Sequence, residues 1–290
     1  EMSNKGFEVT LSATPIQTDK FAWYLDWNIS RNRNKLIKLA PGLSRYKVTW
    51  DYYANVELYA IEGRPFGEMY GGNYVYDDAG NRLVDENGFY LRSKDKEVLG
   101  NINPEFTTGL TNTFTYGNLS LSFTFDYQHG GSYYAGAYAL GMYAGTIRET
   151  VANGMRERDA NGPNGQKGVV LDGVVARVES DGTIVSTGVK NTKAISPKEY
   201  GSTFYKGIDA QAIFDATFLK LRSVSLSYEV PLPETKHIKG LNFTLSGYNL
   251  WTGALAWDGM DPESAIYNQG MGNSSLPTTR SFALSVGLKL

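Results

Sequence analysis

The stretch Phe214–Pro231 constrains this chain more tightly than any other. In its second half Val224, Leu226 and Tyr228 alternate with Ser223, Ser225 and Ser227. Successive side chains of a strand point to opposite faces, so the pattern predicts one apolar side and one hydroxyl-lined side. In a soluble sandwich the apolar side meets a core. In a membrane barrel it meets lipid, and the serines line a watered interior.

The same texture recurs. Phe7, Val9, Leu11 and Ala13 alternate with Glu8, Thr10 and Ser12, and Phe21, Trp23, Leu25, Trp27 and Ile29 share one face of the next run. Leu110, Phe114 and Tyr116 form a third run. Gly117-Asn118, a pair that tolerates positive φ, turns it back into Leu119, Leu121, Phe123, Phe125 and Tyr127. Leu241, Phe243 and Leu245, then Phe282, Leu284, Val286, Leu288 and Leu290, complete the series. Seven strands are predicted, at about 6–13, 21–30, 107–116, 119–128, 217–230, 241–250 and 280–290. Their connections alternate short and long, which is the cadence of transmembrane barrels. The alternation assigns Trp23, Trp27, Phe123, Phe125, Leu226 and Phe282 to one face. It assigns Asp26, Asn28, Thr124, Asp126, Ser225 and Ser227 to the other.

Composition agrees with a turn-rich β protein: 13% of residues are aromatic, 20 are tyrosines and 32 are glycines. With no cysteine, disulfide frameworks and cysteine metal sites are excluded, and a net charge of −2 indicates no nucleic-acid partner. No run reaches the ~18 apolar residues of a membrane helix. The chain opens Glu-Met-Ser-Asn-Lys without an apolar leader, which for an outer-membrane protein reads as a mature chain or a fragment.

The long connections carry the candidate chemistry. Asp77-Asp78 and Asp85-Glu86 lack the spacing of a calcium loop and read as turns. Tyr133–Val151 holds a prospective helix, and Asp181-Gly182 marks a hairpin between Val169–Val178 and Thr183–Val189. His129 and His237 lie far apart in sequence, with no Gly-x-Ser-x-Gly elbow near either, so no enzyme is expected, and no cofactor or metal. Lys220 and Arg222 fall on the even-numbered face of their strand, out of step with an apolar stripe, and are assigned a structural role. Trp257 and Tyr267 are loop aromatics that can stack on sugar rings or pack on their own loops.

The order of the motifs adds a resemblance. Phe218-x-Lys-Leu-Arg-x-Val-x-Leu-x-Tyr-x-x-Pro231 is preceded by Gly63-x-Pro-x-Gly-x-x-Tyr-Gly71 and Leu99-Gly-x-x-x-Pro-x-Phe106. It is followed by Tyr248-Asn249-Leu250, Asp261-Pro262-Glu263 and Pro277-Thr278-Thr279-Arg280. This series, spread over most of the chain, resembles SusC/RagA-type TonB-dependent outer-membrane transporters. Leu290 departs from the aromatic residue with which such barrels usually end. The resemblance implies an all-β, transmembrane antiparallel β-barrel. Residues 1–290 would be about seven carboxy-terminal strands of a barrel of about 22. It implies a bacterial outer-membrane, multi-pass location with the long loops extracellular. It also implies import of oligosaccharides or peptides with a SusD-like lipoprotein. TonB would act through an amino-terminal segment beyond this chain, and lipid and the rest of the barrel would be further partners. The residues themselves leave two alternatives open: a non-transporting structural or adhesive outer-membrane barrel, and a soluble β-sandwich binding module.

Overall fold

A computed structural model describes all residues except 51–54, 160–167, 206, 234–237, 268, 273–275 and 290. His237, the Tyr52-Tyr53-Ala54 join and Leu290 lie outside the described residues. The seven predicted strands are present: β1 (Met2–Gln17), β2 (Phe21–Leu36), β3 (Phe106–Tyr116), β4 (Leu119–His129), β5 (Phe218–Val230), β6 (Gly240–Gly253) and β7 (Ser281–Lys289). They pair in sequence order as one antiparallel sheet. The first two are longer than the alternation predicts. Their ladder runs on through polar residues to Met2↔Leu36, because backbone pairing needs no apolar side chain.

Register shows the two faces directly. Leu11↔Trp27↔Leu110↔Phe125↔Leu221 is a continuous apolar row, and Leu121↔Leu226↔Leu245↔Leu284 is another. Between these rows hydroxyls meet across strands: Thr111 with Thr124 at 2.9 Å, Ser225 with Ser246 at 2.9 Å and Ser227 with Thr244 at 2.8 Å. Cross-strand partners share a face, so the predicted division of side chains is the division the sheet makes.

The expected transmembrane antiparallel β-barrel is not what the chain builds. β1 pairs only with β2 and β7 only with β6, so the seven-stranded sheet is open at both edges, and among the described residues no sheet closes on itself. The same finding corrects the expected bacterial outer-membrane, multi-pass topology: the strands form an open sheet joined to a folded layer of loops. Period-two alternation reports that a strand has two unlike faces. The short–long cadence reports that an antiparallel meander carries its long connections at one end. Neither reports closure.

The buried core sits in the long connections. Val56, Leu58 and Met69 from the first, Tyr134, Ala139, Met142, Phe204 and Ala212 from the second, and Met271 from the third form one apolar cluster. The three connections therefore fold together as a cap. Within it Arg45–Trp50, Glu57–Ile61, Glu68–Gly71 and Glu97–Asn101 make a four-stranded sheet. The predicted hairpin is present as Val174–Val178 paired with Ile184–Lys190. The predicted helix shortens to α1 (Gly136–Ala144), because Gly145 takes a left-handed φ of 69° and ends it. Helix α2 (Pro197–Ser202) starts at a capping box in which Ser196 and Glu199 satisfy each other's backbone N–H, and α3 spans Pro262–Tyr267.

Candidate functional site

The junction between sheet and cap is set by inserted residues on β5 and β6. On β5 the register with β4 shifts between Leu221 and Ser223, leaving Arg222 as a bulge, and on β6 two residues, Asn249 and Leu250, lie opposite it. On β6 the same level holds Asn249, whose φ is 52°. A bulge reverses the parity of the strand beyond it. Lys220, paired with Asp126, therefore shares the hydroxyl face with Ser223, Ser225 and Ser227 despite its even number. This is why Lys220 and Arg222 break step in the sequence.

Those two cations meet three carboxylates. The Lys220 side chain is 1% exposed and donates to Asp261 at 2.7 Å and to Glu263 at 2.6 Å. Arg222 donates from Nε to Asp126 at 2.5 Å and grips Glu263 with its two terminal nitrogens at 2.8 and 2.5 Å. Burial disfavours the charge of Glu263, but hydrogen bonds from Arg222 and Lys220 outweigh it and hold this carboxyl below the usual range. The Arg222 guanidinium, bonded first to Glu263 and then to Asp126, is held still further above its ordinary value. The cluster thus joins β4, β5 and the first turn of α3 with the residue before it. The remaining Asp261 bonds stay within that last connection: Oδ1 accepts from the Glu263 N–H, and Oδ2 from the Thr278 hydroxyl at 2.7 Å.

A second buried carboxylate organises the cap. Asp209 is 5% exposed, accepts from the backbone N–H of Gly72 at 2.7 Å and of Asn55 at 3.2 Å, and has Arg92 at 4.0 Å. Here burial wins and raises the carboxyl above its ordinary range, with the Gly72 and Asn55 N–H groups and Arg92 opposing it only in part.

Ligand-sized space lies where the far ends of β1 and β2 meet the cap. A groove of about 880 Å³ is lined by Lys5, Arg33, Lys35, Asn101, Asn103 and Glu105, among others. Lys5 and Arg33 are register partners, and among the described residues neither they nor Lys35 forms an ion pair. The Asn103 amide donates to the Phe66 carbonyl at 2.6 Å, so the asparagines shape the wall while the cations stay available. Such a groove can receive carboxylate or hydroxyl groups.

The sequence candidates fall elsewhere. Trp257 is 8% exposed, donates its indole N–H to Glu149 at 3.0 Å and meets the Tyr138 and Phe214 rings at 5.1 and 6.0 Å. It packs on the cap itself. Tyr267 ends α3, and its side chain lies outside the described residues. His129 ends β4, with its Nδ1 3.3 Å from the Tyr127 hydroxyl and its ring 5.2 Å from Phe106. Among the described residues no group of three or more His, Asp or Glu could hold a metal ion. Sequence reasoning also passed over Asn112, 7% exposed on the apolar face, which accepts the Trp23 indole N–H at 3.0 Å.

No protein-family model matches the chain. The TonB-dependent receptor P3 of Formosa agariphila is 23% identical over 323 residues, covering 100% of this chain and 29% of that protein. The TonB-dependent receptor SusC of Bacteroides thetaiotaomicron is 28% identical over 182 residues, covering 53% of this chain and 18% of that protein. Among solved structures, the RagAB peptide transporter superposes with a TM-score of 0.59 at 19% identity, over 99% of this chain and 29% of its own. The RagAB peptide importer in its 'open-open' state gives 0.61 at 19% identity, over 100% of this chain and 29% of its own. The structural likeness is one of fold, and the chain spans less than a third of the length of these relatives. Taken with the sequence matches, it makes this chain a distant homologue of the SusC/RagA group of TonB-dependent receptors.

Proposed function

We propose that this chain is a ligand-handling portion of a longer TonB-dependent importer. In this reading the importer takes up oligosaccharides or peptides with a SusD-like surface lipoprotein, and TonB acts through a segment outside this chain. The observation that carries the reading is the extent of the likeness: it runs over 99–100% of the chain for the RagAB structures. The free edges of β1 and β7 would be met by the rest of the longer protein. The basic groove at Lys5, Arg33 and Lys35 is the part of the chain best suited to contact a ligand carboxylate, and no catalytic step is assigned. The test is calorimetric titration of the full-length protein with a peptide and with an oligosaccharide. Replacing Lys5, Arg33 and Lys35 together by Glu should weaken peptide binding by about tenfold or more, as expected for loss of charged hydrogen bonds. Unchanged affinity would remove the groove from the reading.

A second reading is favoured by the open sheet and by a cap that buries its own core. In it the chain is a binding or adhesive module that holds a ligand without moving it. Ligand uptake by cells carrying the full-length protein separates the two: binding with no uptake, under energised conditions, selects the module.

A further inference from the structure

The segment 254–265 leaves β6 at Ala254, whose φ of 58° is a conformation that a side chain disfavours. Its backbone bonds among the described residues are local, Ser264 N–H to Asp261 and Gly270 N–H to Ala265. Side chains alone therefore seat it. Its apolar contacts set Trp257, Met260 and Ala265 against Tyr133, Ala135 and Ala216, with Trp257 also on the Tyr138 and Phe214 rings. Its ionic contacts set Asp261 and Glu263 on the buried Lys220 and on Arg222. The Thr278 hydroxyl donates to Asp261, the Trp257 indole donates to Glu149, and an exposed rim pair joins Arg148 with Asp258 at 2.8 Å.

Two features fit poorly with a segment optimised only to stay down. A buried ion cluster gains little net stability over apolar packing, because its charges must be desolvated. Beneath the segment Tyr133 is fully buried, yet its hydroxyl has no hydrogen-bond partner among the described residues. Such an orphan is costly and needs an explanation. Both features fit a segment with a second position, in which the charges regain water and the hydroxyl regains a partner.

We propose that residues 254–265 are a flap hinged at Ala254 and clasped by the Lys220–Arg222 cluster, and that release of the clasp uncovers Tyr133. This goes beyond ligand import and holds whichever reading of function is correct. The clasp is sharp because losing Lys220 leaves Asp261 without its cation and Glu263 with Arg222 alone, which favours return of the Asp261 carboxylate to water.

The test is made on the full-length protein. Lys220→Met keeps volume and removes the charge; Lys220→Arg restores it. Amide exchange of 254–265 and nitration of Tyr133 by tetranitromethane, mapped by mass spectrometry, should both rise about tenfold in Lys220→Met. Both should fall back toward wild type in Lys220→Arg, and β4 and β5 should keep their protection throughout. Glu263→Gln, which leaves the Lys220–Asp261 pair in place, should give a smaller rise and decides the matter if Lys220→Met does not fold. Unchanged exchange at 254–265 would overturn the proposal. So would loss of protection in β4 and β5 together with the segment, since the cluster would then belong to the sheet's own stability.

Discussion

The sheet and the cap of this chain bury different things. In the sheet, apolar side chains line one face and many stay exposed: Phe282 is 72% and Leu284 71% exposed. In the cap, Val56, Met69 and Tyr134 are at most 1% exposed and pack against one another across three connections. The sheet is held by backbone ladders and rows of hydroxyls; the cap is held by a core. Regular structure and buried core are thus separated in space, and the long connections behave as the folded body of the chain.

Substitutions in the two regions should therefore differ in cost. Leu58→Ala removes a fully buried cap side chain and should destabilise by about 2–5 kcal/mol, the usual range for such cavities, in denaturant unfolding. Asp209→Ala leaves the Gly72 and Asn55 N–H groups without their acceptor and should cost about 1–3 kcal/mol.

The two buried carboxylates sharpen the comparison through pH. The Glu263 carboxyl is held low, so its contribution is complete above the ordinary glutamate range and is lost only as pH falls through its lowered pKa. Asp209 is raised, so its ionisation works against the fold as pH climbs from the ordinary aspartate range through its raised pKa. Stability measured against pH should thus lose an acid-side fall in Glu263→Gln and a mildly acidic loss in Asp209→Asn. Identical curves for both variants would break the distinction.

Sheet substitutions should matter less. Ser225→Ala leaves Ser246 without its cross-strand partner and should cost about 0.5–1.5 kcal/mol. Leu284→Ser, on an exposed strand, should fall within about 0.5 kcal/mol by the same denaturant measurement. A large loss there would mean that the apolar face of this chain is covered.

What could be read in the sequence follows the same divide. Strand faces were legible because period two is written into every run, from Phe7–Ala13 to Phe282–Leu288. The bulge at Arg222 left a trace as well: two cations at even positions, in the otherwise apolar series of Val224, Leu226 and Tyr228. That trace pointed to a structural role without showing the three carboxylates, which come from β4 and from 41–43 residues downstream of the cations. Closure was illegible, because alternation describes single strands and not what lies beyond the two outer ones. The cap core was illegible too. Val56, Met69, Tyr134 and Met271 share no period, and only the tertiary fold brings them together. Trp257 shows the limit for a candidate site: a loop aromatic looks the same in sequence whether it faces ligand or packs beneath its own loop.

Ligand contact at the groove where β1 and β2 meet the cap, and not on the exposed apolar rows of the sheet, is tested most directly by ligand titration of the full-length protein, comparing the variant with Lys5, Arg33 and Lys35 all replaced by Glu with Leu284→Ser. Peptide binding should weaken by about tenfold in the groove variant and be unchanged in Leu284→Ser. Wild-type binding in the groove variant, with loss in Leu284→Ser, would contradict this placement.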